Sequence, residues 1–314
     1  MQGDPPHLLV QDGWKDIVIT LDEQLASKLA RIRLVLMDID GTLIDANHPT
    51  FENVVHQLRK LKPLSIGFSI ATGRTIRGAS FVTRRLTDIG AHLPPMITYN
   101  GAVVLSAADS KIVTRHLIDR TAFEAIVRRC RELGIDALAY ACQQYFDFFP
   151  KETVYCEGAT RPEPEFNGME IRFVDDILSV RDDFVAVLLD VADPQVRAAL
   201  MADLSTAFQG VLRVTSSGGR YIEICHPRGT KRDAMAVLAR IRNIDMSQIM
   251  AIGDNYNDQE MISAAGVGVA VANAPPELRQ MALLRTSLPS GQGVVEALRA
   301  LTRAVRSQVR AEEG

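Results

Sequence analysis

Apolar residues along this chain fall into short unbroken runs, separated by stretches in which they recur every three or four positions. The runs over 32–39, 66–71 and 96–99 predict buried strands, and the spacing of Val54, Val55, Leu58 and Leu61 predicts a helix over 51–61. A second helix is expected over 75–89. Strands that are apolar throughout and alternate with helices predict a parallel sheet covered on both faces. Right-handed crossovers then bring the C-terminal ends of its strands to one edge.

The pattern changes between about 112 and 223. Helices are expected over 121–133 and 194–208, and strands over 183–191, 213–214 and 221–225. The stretch 152–168 is rich in Pro, Glu and Gly and reads as a loop. Beyond it the first pattern returns: helix 230–242, strand 248–252, helix 258–265, strand 267–271, a short helix at 276–281 and a terminal helix from 293 to about 305. The fold class expected is therefore α/β: a Rossmann-like parallel-sheet core covered by helices, with an inserted α+β cap domain. The expected division is an N-terminal extension at 1–31, a discontinuous core at 32–112 and 224–305, a cap at 113–223, and a frayed tail at 306–314. Within the extension, Ile17, Val18 and Ile19 precede a helical pattern of Leu21, Leu25 and Leu29.

Composition changes this picture little. The chain has 314 residues, 47% of them hydrophobic and 23% charged, as in ordinary globular proteins. A net charge of −3 without long basic runs argues against a nucleic-acid partner. Cys130, Cys142, Cys156 and Cys225 show no metal-binding spacing and read as thiols in a reducing compartment. No stretch has the ~18 apolar residues of a membrane span, and no basic segment leads into an apolar core as in a signal peptide. A cytoplasmic location and no membrane partner are expected; oligomeric state is not legible.

Four clusters carry candidate chemistry, and each also has a plain structural reading. Asp38 and Asp40 follow the first strand two positions apart, so in extended chain they share a face. Their mutual repulsion calls for a compensating charge, most simply a divalent cation, although Asp-Ile-Asp-Gly also suits a turn. Thr72 and Gly73 end the second strand, where a hydroxyl and backbone amides suit a phosphate oxygen; Thr72 could equally cap a helix. Lys231 opens a helix, where its charge opposes the macrodipole, and could be either a phosphate ligand or a solvated side chain. Gly253-Asp254-Asn255-Tyr256-Asn257-Asp258 sets two carboxylates around one turn after another strand, as oxygen donors for a hard cation or as a turn and cap.

In this order and at these element ends, the four clusters resemble the haloacid dehalogenase superfamily. The match is Asp38–Leu43, Thr72, Lys231 and Gly253–Asp258, supported by Tyr99-Asn100-Gly101-Ala102, Tyr221-Ile222-Glu223-Ile224 and the Ala264–Val271 run, over roughly 32–302. The resemblance points to the Cof-like branch. Only about one helix fits between Asp38 and Thr72, whereas Thr72 to Lys231 is long enough for a domain, which corresponds to that family's type-2 cap. The resemblance implies a Mg²⁺-dependent phosphomonoester hydrolase acting on a small phosphorylated metabolite of sugar phosphate, pyridoxal phosphate or flavin mononucleotide type. A phosphomutase with the same aspartyl-phosphate, or a ligand-binding protein on this scaffold, are the alternatives.

The roles implied are Asp38 as nucleophile, Asp40 as general acid and base, and Lys231 as catalytic cation. Thr72, Gly73, Lys231 and Asn257 would bind phosphate; Asp38, the Asp40 backbone carbonyl and Asp254 would bind Mg²⁺; Asp258 would orient either Lys231 or the metal shell. The chain departs from the family at Gln292-Gly293-Val294, where an Asp usually precedes Gly-Val. Arg161, Arg172, Arg220 and Tyr221 are candidates for contacts to the rest of the substrate, though surface or packing roles suit each at least as well.

Overall fold

The computed structural model describes residues 19–44, 50–89, 96–106, 111–145, 149–158, 169–216 and 219–313. In chain order the elements are α1 (Glu23–Ala30), β1 (Leu34–Met37), α2 (Phe51–Arg59), β2 (Gly67–Ile70), α3 (Ser80–Thr87), β3 (Met96–Thr98), β4 (Val103–Leu105) and β5 (Ile112–Arg115). They continue with α4 (Arg120–Glu132), β6 (Ala137–Gln143), β7 (Lys151–Cys156), β8 (Glu170–Phe173), β9 (Phe184–Asp190), α5 (Pro194–Ala207), β10 (Arg213–Thr215) and β11 (Tyr221–Cys225). The chain closes with α6 (Lys231–Arg242), β12 (Ile249–Gly253), α7 (Gln259–Ala264), β13 (Val267–Ala270), α8 (Pro276–Met281), β14 (Leu284–Arg285) and α9 (Ser290–Glu313).

A five-stranded sheet in the order β14-β13-β12-β1-β2 is parallel throughout. The strand period of two divides β1 between two apolar clusters. Val35 and Met37 pack toward α1, α2 and α9, while Leu34 and Leu36 pack toward Ala234, Met235 and Leu238 of α6 and Met261 of α7. Burial on both faces explains the unbroken apolar runs. Met37 lies in register with Ile252 on one side and Ile70 on the other. The three chains therefore leave the sheet side by side, with Asp38, Ala71-Thr72 and Asp254 at one edge.

The second layer is a six-stranded sheet, β10-β11-β9-β6-β7-β8, antiparallel except for the β7–β8 pair. Ala137, Ala139, Ala141, Ile222 and Ile224 join Phe123, Ile126, Leu200 and Leu204 of helices α4 and α5 on one side. Leu138, Tyr140, Cys142, Val154 and Cys156 face the other way and cluster with Ile76, Tyr99, Val103 and Leu105. All four cysteines are buried thiols.

Several expectations are corrected. Residues 151–156 form a strand, because Thr153-Val154-Tyr155 is β-branched and aromatic and pairs on both edges; residues 159–168 lie outside the described part. Residues 96–98 meet the parallel sheet through one bridge, Ala71 to Ile97, and then turn into the antiparallel β3-β4-β5 sheet. That reversal uses left-handed backbone at Tyr99, Asn100 and Gly101 (φ 50°, 54° and 107°). The helix expected from 75 begins at Ser80, since the amides of Ile76 and Arg77 donate to Glu152 instead. The terminal helix runs on to Glu313, through the stretch expected to fray.

Of the N-terminal extension, Ile17 and Val18 lie outside the described residues. From Ile19 onward it packs on the core: Asp22 accepts a capping bond from the Leu25 amide at 2.7 Å, and Leu25 and Leu29 are buried in the cluster that holds α9. Leu29 is 0% exposed, so Leu29→Ala is expected to cost about 2–5 kcal/mol. Urea unfolding checks this, and a loss within experimental error would mean that α1 does not dock in solution.

Candidate active site

Asp38 is the first residue beyond β1, and its amide still donates to Ile252 O at 3.0 Å, so sheet register fixes its position. The chain then turns tightly, with Leu43 N donating to Ile39 O at 2.9 Å. Gly41 sits at φ +76°, and a Cβ there would lie 2.2 Å from Asp254 Oδ2. Glycine is therefore required both by conformation and by the close approach of the two loops. Thr42 Oγ1 donates to Asp254 Oδ1 at 2.6 Å, and Asn273 Nδ2 to Gly41 O at 2.9 Å, tying the loops together.

Lys231 opens α6 and is 1% exposed, which removes the solvated reading. Its ammonium donates to Asp38 Oδ1 at 2.7 Å and to Asp258 Oδ1 at 2.6 Å. Asp258, itself 0% exposed, also accepts from the amides of Asp254 and Asn255 through Oδ2 at 3.0 and 3.1 Å. Burial alone would push the lysine down, but Asp258 and Asp38 outweigh it and hold the ammonium above the ordinary lysine range. Asp38 is pushed up chiefly by burial, against the pull of Lys231. Asp254 is raised to about 7, first by burial and then by Asp258. One ligand oxygen from each of Asp38, Asp254 and Asp258 lies within 4.8 Å of the others. An all-oxygen donor set of this kind fits a hard divalent cation.

Thr72 is buried at the end of β2, and its hydroxyl accepts from Arg74 N at 3.1 Å. It caps no helix, because α3 starts eight residues later, and the amide of Gly73 is likewise remote from a helix N-terminus. Asn257 is also buried: Nδ2 donates to Asn100 Oδ1 at 3.0 Å, while Oδ1 has no hydrogen-bond partner among the described residues. The carboxylate of Asp40 stands apart from the acidic cluster. Arg74 grips it with a two-point fork, Nε and Nη2 each 2.7 Å from a carboxylate oxygen.

Of these residues, Asp38, Asp40, Gly73, Arg74, Asn100 and Asn257 line a cavity of ≈ 190 Å³ that opens between the strand edge and the six-stranded sheet. Tyr140, Leu188, Tyr221 and Glu223 of the six-stranded sheet line it from the other side. Two carboxylates of the upper sheet reach down to the lower layer. Glu152 accepts from Ile76 N (2.7 Å), Arg77 N (2.8 Å) and Tyr99 OH (2.5 Å), and burial raises it above the usual carboxylate range despite those donors. Glu223 accepts from Asn100 Nδ2.

Sequence reasoning assigned no role to Arg74, Asn100, Glu152 or Glu223. Arg74 directly follows Thr72-Gly73, and Asn-Gly after a strand signals a tight turn, so those two left traces. Glu152 left none, lying in a stretch read as a loop. Of the other candidates, Tyr221 lines the cavity, Arg172 pairs with Glu170, Arg220 with Asp190, and Arg161 lies outside the described residues.

A parallel α/β sheet with two aspartates, a lysine and an acidic loop gathered at its carboxyl edge defines a hydrolase site of recognisable type. Residues 35–298 match the family described as haloacid dehalogenase-like hydrolase, and the chain belongs to that family. It is similar to phosphoglycolate phosphatase of Methanopyrus kandleri (27% identical over 268 residues, 85% of this chain and 96% of the relative). It is also similar to 5-amino-6-(5-phospho-D-ribitylamino)uracil phosphatase YbjI of Escherichia coli (25% over 279 residues, 85% and 95%). In fold it resembles a haloacid dehalogenase-like hydrolase from Bacteroides thetaiotaomicron, with a TM-score of 0.68 at 23% identity over 85% of this chain and 98% of that one. No helix among the described residues is long and apolar enough to cross a membrane.

Removing Lys231 would leave Asp38 and Asp258 facing each other without a cation. Lys231→Met is expected to cost about 3–5 kcal/mol, as when one partner of a buried ion pair is deleted. Denaturant unfolding measures it, and a variant as stable as the parent would refute the structural part of the lysine's role.

Proposed function

We propose that this chain is a phosphomonoesterase for a small phosphorylated metabolite, working through an aspartyl-phosphate on Asp38. The observation that carries the reading is the buried Asp38–Lys231–Asp258 arrangement, with Asp38 lining the cavity. Lys231 occupies Oδ1 of Asp38, which leaves Oδ2 as the attacking atom. That oxygen forms the new bond to phosphorus as the bond to the ester oxygen breaks, and Asp40 delivers a proton to the leaving oxygen. Asp40 then takes a proton from water, whose oxygen displaces phosphate from Asp38 and restores the free carboxylate. Thr72, the Gly73 amide, Lys231 and Asn257 would hold the phosphoryl oxygens, and positioning with charge neutralisation dominates this chemistry. Arg74 keeps Asp40 at the rim, and an incoming phosphoryl group competes with Asp40 for that guanidinium.

Mg²⁺ fits the acidic cluster. Asp258 is committed to the Lys231 ammonium and to two backbone amides, so Asp38 and Asp254, with the Asp40 backbone carbonyl, would hold the ion. When bound it would offset the repulsion between an anionic nucleophile and an anionic ester. In this reading 32–112 and 224–305 form the catalytic core, 113–223 the cap, 1–31 an extension and 306–314 a tail.

Asp38→Asn is expected to abolish phosphate release from p-nitrophenyl phosphate while the circular dichroism spectrum is unchanged. Substantial residual turnover would sink the covalent route. Mg²⁺ must also displace the proton that Asp254 holds below about pH 7. Raising the pH through that value deprotonates the group, so affinity should rise by up to roughly tenfold per pH unit and then level off. Calorimetric titrations at about pH 6 and about pH 8 test this, and equal affinities would remove Asp254 from the ligand set.

A further inference from the structure

Glu152 takes no part in the chemistry above, yet it is 3% exposed and accepts three hydrogen bonds. It belongs to β7 of the six-stranded sheet, while all three donors belong to the other layer. Oε1 accepts from Ile76 N at 2.7 Å and from Tyr99 OH at 2.5 Å; Oε2 accepts from Arg77 N at 2.8 Å. Both segments it joins border Thr72-Gly73-Arg74. On one side the chain runs directly on from Arg74 to Ile76 and Arg77. On the other, Tyr99 N donates to Arg74 O and Asn100 N to Thr72 O, each at 3.0 Å. Tyr99 and Asn100 adopt left-handed backbone (φ 50° and 54°), a conformation that persists only where the surroundings over-determine it. The bond from the Tyr99 phenol to Glu152 is one of those constraints.

We infer that Glu152 is a positioning residue for phosphate: it braces the two segments that flank Thr72 and Gly73, so the six-stranded sheet holds the phosphoryl cradle in shape. This rests on the reading above that Thr72 and the Gly73 amide hold phosphoryl oxygens. The chemistry of the contact calls for a carboxylate, because an ionised one only accepts and all three partners donate. Glutamine keeps one accepting oxygen but turns its NH₂ group toward another donor, which opens that side of the brace. Asp38 and Lys231 are fixed by other bonds, to Ile252 O and to Asp258. The brace therefore acts on phosphate binding more than on the nucleophile.

Calorimetric titration with inorganic phosphate in the presence of Mg²⁺ reads the cradle directly, beside KM and kcat for p-nitrophenyl phosphate. Glu152→Gln should weaken phosphate binding and raise KM by about tenfold or more, as a small misplacement of a binding group does, with kcat changed less. Tyr99→Phe removes one donor and keeps the ring; it should show a smaller loss in the same direction, and it decides the matter if Glu152→Gln does not fold. Arg213→Gln is the control, because Arg213 also joins the layers, through Glu260 at 2.8 Å, but does so at α7 instead of at the phosphate loop. Its phosphate affinity should stay within about twofold of wild type. Wild-type affinity in the folded Glu152 or Tyr99 variant, a loss confined to kcat, or an equal loss in the Arg213 control would overturn the brace. A wild-type protein that binds phosphate but releases none from p-nitrophenyl phosphate would overturn the hydrolase reading, while the affinities still decide the brace. Failure of the wild-type protein to bind phosphate would overturn both.

Discussion

One ammonium holds this site together. Lys231 is enclosed at the start of a helix, between two carboxylates that arrive from different strands. A buried lysine is stable in its charged form only where opposite charges repay its lost hydration, and Asp38 and Asp258 supply them. The dependence is mutual. Without the ammonium, three aspartates from two loops would lie within a few ångströms of one another and could not all ionise. The exit points of β1 and β12 and the first turn of α6 are therefore fixed relative to one another by charge as well as by packing.

That constraint explains why the surrounding loops are so closely determined. Gly41 lets the first loop pass against Asp254, and Asp258 accepts from the amides of Asp254 and Asn255 through Oδ2 while its Oδ1 neutralises Lys231. Each side chain thus serves two links at once. Functional charge is carried on loops, but the loops are anchored to adjacent parallel strands in fixed register, which gives a site on loops the precision of a site on a sheet.

Much of this was legible in the sequence because the parallel sheet writes plain signals. Strands buried on both faces read as unbroken apolar runs, and carboxylates or hydroxyls at their ends stand out against them. Asp38, Thr72 and Asp254 were found in this way, whereas Lys231 at a helix start gained its role only from the resemblance; the structure brings all four together at one edge. The six-stranded sheet was harder to read. Ala137–Gln143, its central strand, is made mostly of small residues and tyrosine, and β7 carries a buried glutamate that breaks the apolar pattern. The start of α3 was misplaced for a related reason: the amides that would begin the helix are taken by that same Glu152, a partner 76 residues away that no local rule could supply.

The two layers meet through contacts of different kinds on different sides. Near β3, β4 and β5 the join is apolar, with Ile76, Val103 and Leu105 against Leu138, Cys142 and Val154. Elsewhere it is polar: Glu152 on backbone amides, Glu223 on Asn100, and Arg213 of β10 on Glu260 of α7 at 2.8 Å. Separating apolar surface costs free energy in proportion to its area, whereas exposed or half-exposed polar pairs exchange one another for water at little net cost. The apolar contacts therefore contribute more to holding the layers together than the exposed polar ones do. Glu152 is the exception among the polar contacts, because it is buried and its three donors would have to be rehydrated together. A carboxylate from the six-stranded sheet, seated on the loop that follows Thr72-Gly73-Arg74, thus ties the second layer to the same loop that would hold the phosphoryl group.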